Sequence, residues 1–125
     1  MKHRIRITAG DVSMEAELGD NHVAQAIWTA LPIEQRGAAW GDEIYFEIPV
    51  QAEAENPQEV VESGDLGYWP PGNAFCIFFG PTPASREEEI RPASAVEVVG
   101  RLLGEPTEFK RVPGGAVVTI ERMDN

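Results

Sequence analysis

Cysteine and histidine are nearly missing from this sequence. It has one cysteine, Cys76, and two histidines, His3 and His22. A lone cysteine excludes an internal disulfide framework and a cysteine zinc site. Set in the apolar run Phe75-Cys76-Ile77, it reads as a buried, inert thiol. His22 falls in the first turn of a predicted helix and reads as solvent-facing. Basic residues are scarce as well. Ten Lys and Arg stand against 21 Asp and Glu, a formal charge of −11, which repels phosphate backbones and anionic lipid. Neither nucleic acid nor a membrane surface is an expected partner. The basic residues at the start, Lys2, His3, Arg4 and Arg6, suit the solvated face of a strand better than a phosphate site.

Other absences narrow the field further. No apolar run approaches the about 18 residues that cross a bilayer, and no signal-peptide core follows Met1, so the expected location is the cytoplasm. There is no glycine-rich phosphate loop and no repeat of fixed period. The acidic stretch QAEAENPQEVVESG (51–64) carries no histidine beside its carboxylates and reads as a solvated loop, with one short strand expected near Val60 and Val61. No cofactor and no metal are expected.

What remains is an ordinary globular composition, 42% hydrophobic and 25% charged over 125 residues, which argues for one ordered domain spanning 1–125. Ile5 and Ile7 alternate with Arg4, Arg6 and Thr8; Val12, Met14, Ala16 and Leu18 alternate with Ser13, Glu15 and Glu17. The two runs form a predicted hairpin through Ala9-Gly10-Asp11, with Arg4 or Arg6 across from Glu15 or Glu17. The period then lengthens in NHVAQAIWTALP, which predicts a short helix capped by Asp20 or Asn21 and stopped at Pro32. After a polar connection ending at Trp40, DEIYFEIP alternates again, with Ile44, Phe46 and Ile48 on one face and Glu43, Tyr45 and Glu47 on the other. Strands are also predicted over Ala95–Leu103 and in GGAVVTIERM, with PTEFKRV as a turn of helix or irregular connection. Many strands and few helices predict a mainly antiparallel sheet closed into a barrel or folded into a sandwich.

The stretch GDLGYWPPGNAFCIFFG (64–80) holds the densest aromatic group. Neither proline after Trp69 has an N–H, so the chain leaves the sheet there and places Trp69 near a rim. Asn73 follows Gly72 in a turn. The strand AFCIFFG is apolar on both faces and has to be covered on both; the interior is expected to cover one and the helix Asn21–Ala30 the other.

AIWTALP (26–32), WGDEIYFEIP (40–49), SGDLGYWPPGNAFCIFFGPTP (63–83) and VEVVGRLLG together resemble the small bacterial and archaeal proteins of cyclophilin-like fold, a family without an established activity. The resemblance spans most of the chain. It implies a closed β-barrel of about eight mostly antiparallel strands with one or two short helices over its ends. The motifs that carry prolyl isomerisation in true cyclophilins, a Phe-His pair and Arg followed by Phe-Met-x-Gln-Gly-Gly-Asp, do not occur in this chain.

The leading functional reading is a binding module for a small molecule or an extended peptide. Its candidate site is Trp40, Tyr68, Trp69 and Phe78 as lining, with Asn73 and Arg86 supplying polar contacts. No catalytic residue is assigned, since Cys76 has no histidine close in sequence. Pairs such as Asp42 with Asp65, or Glu43 with either, read as turn chemistry rather than as an acid and base. The alternatives are a peptidyl-prolyl isomerase and a structural protein whose exposed aromatics are buried by self-association.

Overall fold

Two consecutive pieces of chain, joined by one glycine, form opposite edges of a single rolled sheet. The computed structural model describes residues 2–123. Its strands are β1 (His3–Ala9), β2 (Val12–Leu18), β3 (Ile33–Arg36), β4 (Ala38–Ala39), β5 (Glu43–Glu47), β6 (Asp65–Trp69), β7 (Ala74–Phe78), β8 (Glu97–Leu102) and β9 (Val117–Arg122). They are ordered β3-β9-β1-β2-β8-β6-β7-β5-β4, with antiparallel pairing throughout. The edges β3 and β4 are separated only by Gly37, which makes the barrel nearly closed. The Gly37 N–H donates to the Ala116 carbonyl and the Gly37 carbonyl accepts from Gly115, both at 2.9 Å. A Cβ at Gly37 would stand 2.8 Å from Ile44 Cγ2 on β5 and 3.1 Å from Val118 Cγ2 on β9. Only glycine lets the strands on both sides come this close at the seam.

The described residues thus hold nine strands rather than about eight. The sequence hides β3 and β4, because Ile33 alone among their residues is buried and no alternation shows. Near Val60 and Val61 there is no strand but two isolated bridges, Gln58 to Val96 and Val61 to Ile90.

The hairpin forms as the charge pattern predicts, with Arg6 opposite Glu15 and Arg4 opposite Glu17. Arg4 pairs diagonally with Glu15 at 3.1 Å, and Arg6 reaches the same carboxylate at 3.7 Å. These exposed pairs are worth some tenths of a kcal/mol, about the usual value for surface ion pairs. Helix α1 (His22–Ala30) is capped by Asn21, whose Oδ1 accepts from the Ala24 N–H at 2.8 Å, and it buries Val23, Ala24 and Ile27. PTEFKR (106–111) is a 3₁₀ turn that buries Phe109. Among the described residues no helix is long and apolar enough to cross a membrane.

The apolar residues form two layers. The larger fills the barrel and joins Ile5, Ile7, Leu18, Ile44, Phe46, Leu66, Tyr68, Phe75, Ile77 and Ile120 to the buried face of α1. The smaller lies outside the sheet and contains Val61, Ala74, Cys76, Phe78, Ile90 and Val96, with Tyr45, Trp69 and Val98 packed against it. Strand β7 is buried on both faces, as its sequence requires. Its outer face, however, is covered by the segments around Val61 and Ile90–Val96, while α1 packs with the interior layer. The helix stripe was the one amphipathic helical surface visible in the sequence, whereas the covering loops owe their apolar contacts to single residues.

Candidate functional site

Alternation along β5 sends Ile44 and Phe46 into the barrel and Glu43 and Tyr45 to its outer face. Register then fixes their neighbours: Glu43 lies opposite Phe78 and Tyr45 opposite Cys76 on β7. On the far side of β7, Trp69 of β6 lies opposite Ala74. Over this face runs a strap, residues 90–96. Its ends are fixed by backbone bonds, Val61 N–H to Ile90 O at 2.9 Å and a reciprocal pair between Gln58 and Val96 at 2.7 and 3.0 Å. The preceding loop is held by Thr82, whose hydroxyl donates to the Arg91 carbonyl, and by Ser85 Oγ, which accepts from the N–H groups of Thr82 and Arg91 at 2.9 and 3.0 Å.

Between strap and sheet lies a cleft of about 270 Å³ lined by Trp40, Glu43, Tyr45, Trp69, Pro92, Ala93 and Val96. Trp69 ends β6 because Pro70-Pro71-Gly72 turns away as a 3₁₀ turn. Its ring folds back over that turn, so a Cβ at Gly72 would sit 2.8 Å from Trp69 Cζ3. The indole N–H donates to Ser94 Oγ at 2.7 Å, tying the tryptophan to the strap. Trp40 stands at the tight link between β4 and β5, its N–H donating to the Glu43 carbonyl at 2.9 Å.

Glu43 is the polar residue of the cleft. It is 5% exposed, and its Oε1 has no hydrogen-bond partner. Burial pushes its carboxyl up to about 7, opposed by a hydrogen bond with the Cys76 side chain. Burial also raises the Cys76 thiol well above its usual range, and the adjoining Glu43 raises it further. A second buried carboxylate shows the contrast. Glu97 is 4% exposed, yet its Oε1 accepts from the N–H groups of Glu55 and Asn56, both at 2.9 Å, and its Oε2 from Asn21 Nδ2 at 3.3 Å. Glu97 is saturated by its own fold; Glu43 keeps an acceptor in reserve. Among the described residues no three of His, Cys, Asp and Glu converge as a group able to hold a metal.

Of the residues singled out from sequence, Trp40 and Trp69 meet in this cleft. Tyr68 lies on the opposite face of β6, fully buried, its hydroxyl donating to the Val50 carbonyl at 2.7 Å and lying 3.1 Å from Asn73 Oδ1. Asn73 closes the 3₁₀ turn in the left-handed conformation, φ 47°, which asparagine tolerates better than most residues. Phe78 is fully buried beneath the outer layer. Arg86 is exposed on the loop before the strap. Asp65 accepts from the Glu62 N–H at 2.9 Å, closing a turn, and Asp42 pairs with Lys110 at 3.7 Å. The sequence sets Glu43 and Tyr45 on the face opposite Ile44 and Phe46 but does not mark them, or Pro92, Ala93 and Val96, as site residues. The missed signal is β7 itself. A strand apolar on both faces demands an outer layer, and whatever pairs beside it lies under that layer too.

The model of the family described as Cyclophilin-like matches residues 3–121. The chain belongs to the cyclophilin-like family. Among solved structures, it is similar to the solution structure of the hypothetical protein AF2241 from Archaeoglobus fulgidus, with 44% identity and a TM-score of 0.82 over 98% of this chain and 95% of that one. None of the curated proteins matches the sequence. Cyclophilin-like membership therefore establishes the barrel, while any function has to be argued from the cleft.

Proposed function

We propose that this protein is a binding module whose ligand enters the cleft between Trp40 and Trp69. One observation carries the reading: three aromatic side chains and a buried carboxyl with a spare acceptor line the same concave, mostly apolar site. Concave apolar surfaces with few polar groups are the usual form of small-ligand sites. The cleft's 270 Å³ is about the liquid volume of nine water molecules, at roughly 30 Å³ each. The occupant is therefore a metabolite-sized molecule or a single side chain of an extended peptide.

Tryptophan emission tests this. The third tryptophan, Trp28, stacks on His3 with ring centroids 4.1 Å apart and does not line the cleft, so Trp28→Phe leaves Trp40 and Trp69 as reporters. Screened against metabolites and short peptides, that variant is expected to show a saturable emission change that Trp40→Ala or Trp69→Ala removes. Saturable binding that survives both alanine variants in the otherwise folded protein would place the ligand elsewhere.

A further inference from the structure

The lining of the cleft also specifies the charge of its occupant. Trp40, Tyr45 and Trp69 line it with aromatic rings, and Glu43 is the acidic group among them. Aromatic faces attract cations through the ring quadrupole, most strongly where water is excluded. A buried carboxyl with an unpartnered oxygen is costly, and Glu43 lines the cleft, so a ligand N–H donated to its carboxylate would relieve that cost. The surroundings favour the same sign. The strap residue Arg91 is engaged by Glu89 at 2.6 Å and Glu59 at 3.7 Å, Lys110 is engaged by Asp42, and the whole chain carries −11, a field that draws cations inward.

We propose that the cleft recognises a small organic ammonium ion, with its N–H donated to Glu43 and its alkyl groups packed against Trp40, Tyr45 and Trp69. This rests on the binding reading above and adds the ligand class to it. A neutral, protonated Glu43 would favour the opposite ligand, a hydrogen-bond acceptor such as an amide carbonyl, so the two ligand types discriminate directly.

Three ring compounds of similar size make the test: N-methylpiperidinium, the neutral lactam N-methyl-2-piperidone, and the anion cyclohexanecarboxylate. Each is titrated into the Trp28→Phe protein at about pH 8, where carboxylates are normally ionised, and binding is followed by emission and by heat. The cation is expected to bind about tenfold more tightly than either of the others, the scale of one desolvated cation–π and ion-pair contact. Glu43→Gln is expected to weaken the cation about tenfold and to leave the lactam within about twofold. Tyr45→Leu, which keeps the wall apolar and removes a π-face, supplies an independent variant and is expected to weaken the cation more than the lactam. Lactam binding equal to or tighter than cation binding, or indifference of the cation to both variants, overturns the ammonium assignment and leaves the cleft a binding site. Failure of all three compounds to bind up to about 10 mM, weaker than about 3 kcal/mol, overturns both.

Discussion

Glu43 and Cys76 are diagonal neighbours on adjacent strands of the barrel's outer face, and both are buried, at 5% and 2% exposure. Each group is held toward its protonated form, the carboxyl by burial and the thiol by burial and by the carboxyl beside it. A chain with 21 acidic residues has many exposed positions for a carboxylate. That one sits inside an apolar layer with an unused acceptor is what separates this site from ordinary packing.

The pair makes stability depend on pH in a definite direction. The carboxyl ionises near 4.5 in the unfolded chain and near 7 in the folded one, so between these values the folded state holds the extra proton. Stability from this group therefore falls as pH rises through that window, by up to about 3 kcal/mol, and is level on either side. Glu43→Gln abolishes the titration at nearly constant shape. The stability of this variant relative to the parent is expected to rise from about pH 4.5 to about pH 7 and then to plateau. Urea melts of both proteins across the range measure the difference, and a difference constant with pH would mean that Glu43 titrates normally.

Cys76 is expected to resist thiol reagents in the native protein. The thiolate is the reactive form, and here it is both enclosed, at 2% exposure, and disfavoured by its neighbours. Labelling with Ellman's reagent at neutral pH is expected to run at least about 100-fold slower than in denaturant, paced by opening of the strap or the barrel. Rapid stoichiometric labelling of the folded protein would show that the outer layer is open.

These side chains also mark what the sequence can and cannot disclose. The hairpin was legible because Arg4, Arg6, Glu15 and Glu17 alternate with apolar residues, and α1 because Asn21, the stripe of Val23 and Ile27, and Pro32 punctuate it. Trp69 was legible as a rim residue because two prolines forbid the ladder to continue. Glu43 was not, since alternation assigns it to the outer face without saying whether that face is wet. It shares the cleft with Pro92, Ala93 and Val96, about fifty residues away in the chain, and a loop's path over a sheet leaves no periodicity to read. The edge strands β3 and β4 were hidden for a related reason: they are short, largely exposed, and defined by what they pair with.

Asn21 ties the start of the helix to the barrel and to the long acidic loop. Its Oδ1 caps α1 through the Ala24 N–H, while its Nδ2 donates to the Val98 carbonyl at 3.0 Å and to Glu97 at 3.3 Å. Asn21→Ala removes the cap and leaves Glu97 with one donor fewer. The expected loss is about 2 kcal/mol, beyond the about 1 kcal/mol of a typical cap. Asn21→Asp keeps a capping oxygen but sets a second carboxylate against Glu97, and is expected to lose as much. Chemical denaturation measures both. A loss confined to a few tenths of a kcal/mol in the alanine variant would reduce Asn21 to a surface residue.

Closure of the barrel rests on Gly37, and a double-mutant cycle tests it. A methyl group there meets Ile44 Cγ2 at 2.8 Å and Val118 Cγ2 at 3.1 Å, one contact on each side of the seam, and the backbone cannot yield without breaking its bonds to Ala116 and Gly115. Gly37→Ala is expected to destabilise the protein by about 1–3 kcal/mol, the usual scale of overpacking. Ile44→Ala alone opens a cavity and costs about 2–5 kcal/mol. In that background the added methyl has space, so the cost of Gly37→Ala is expected to shrink by about 1 kcal/mol, a coupling well above the additivity error of distant sites. Equal costs in both backgrounds would mean that the seam is loose and that the backbone bonds alone hold the two edges together.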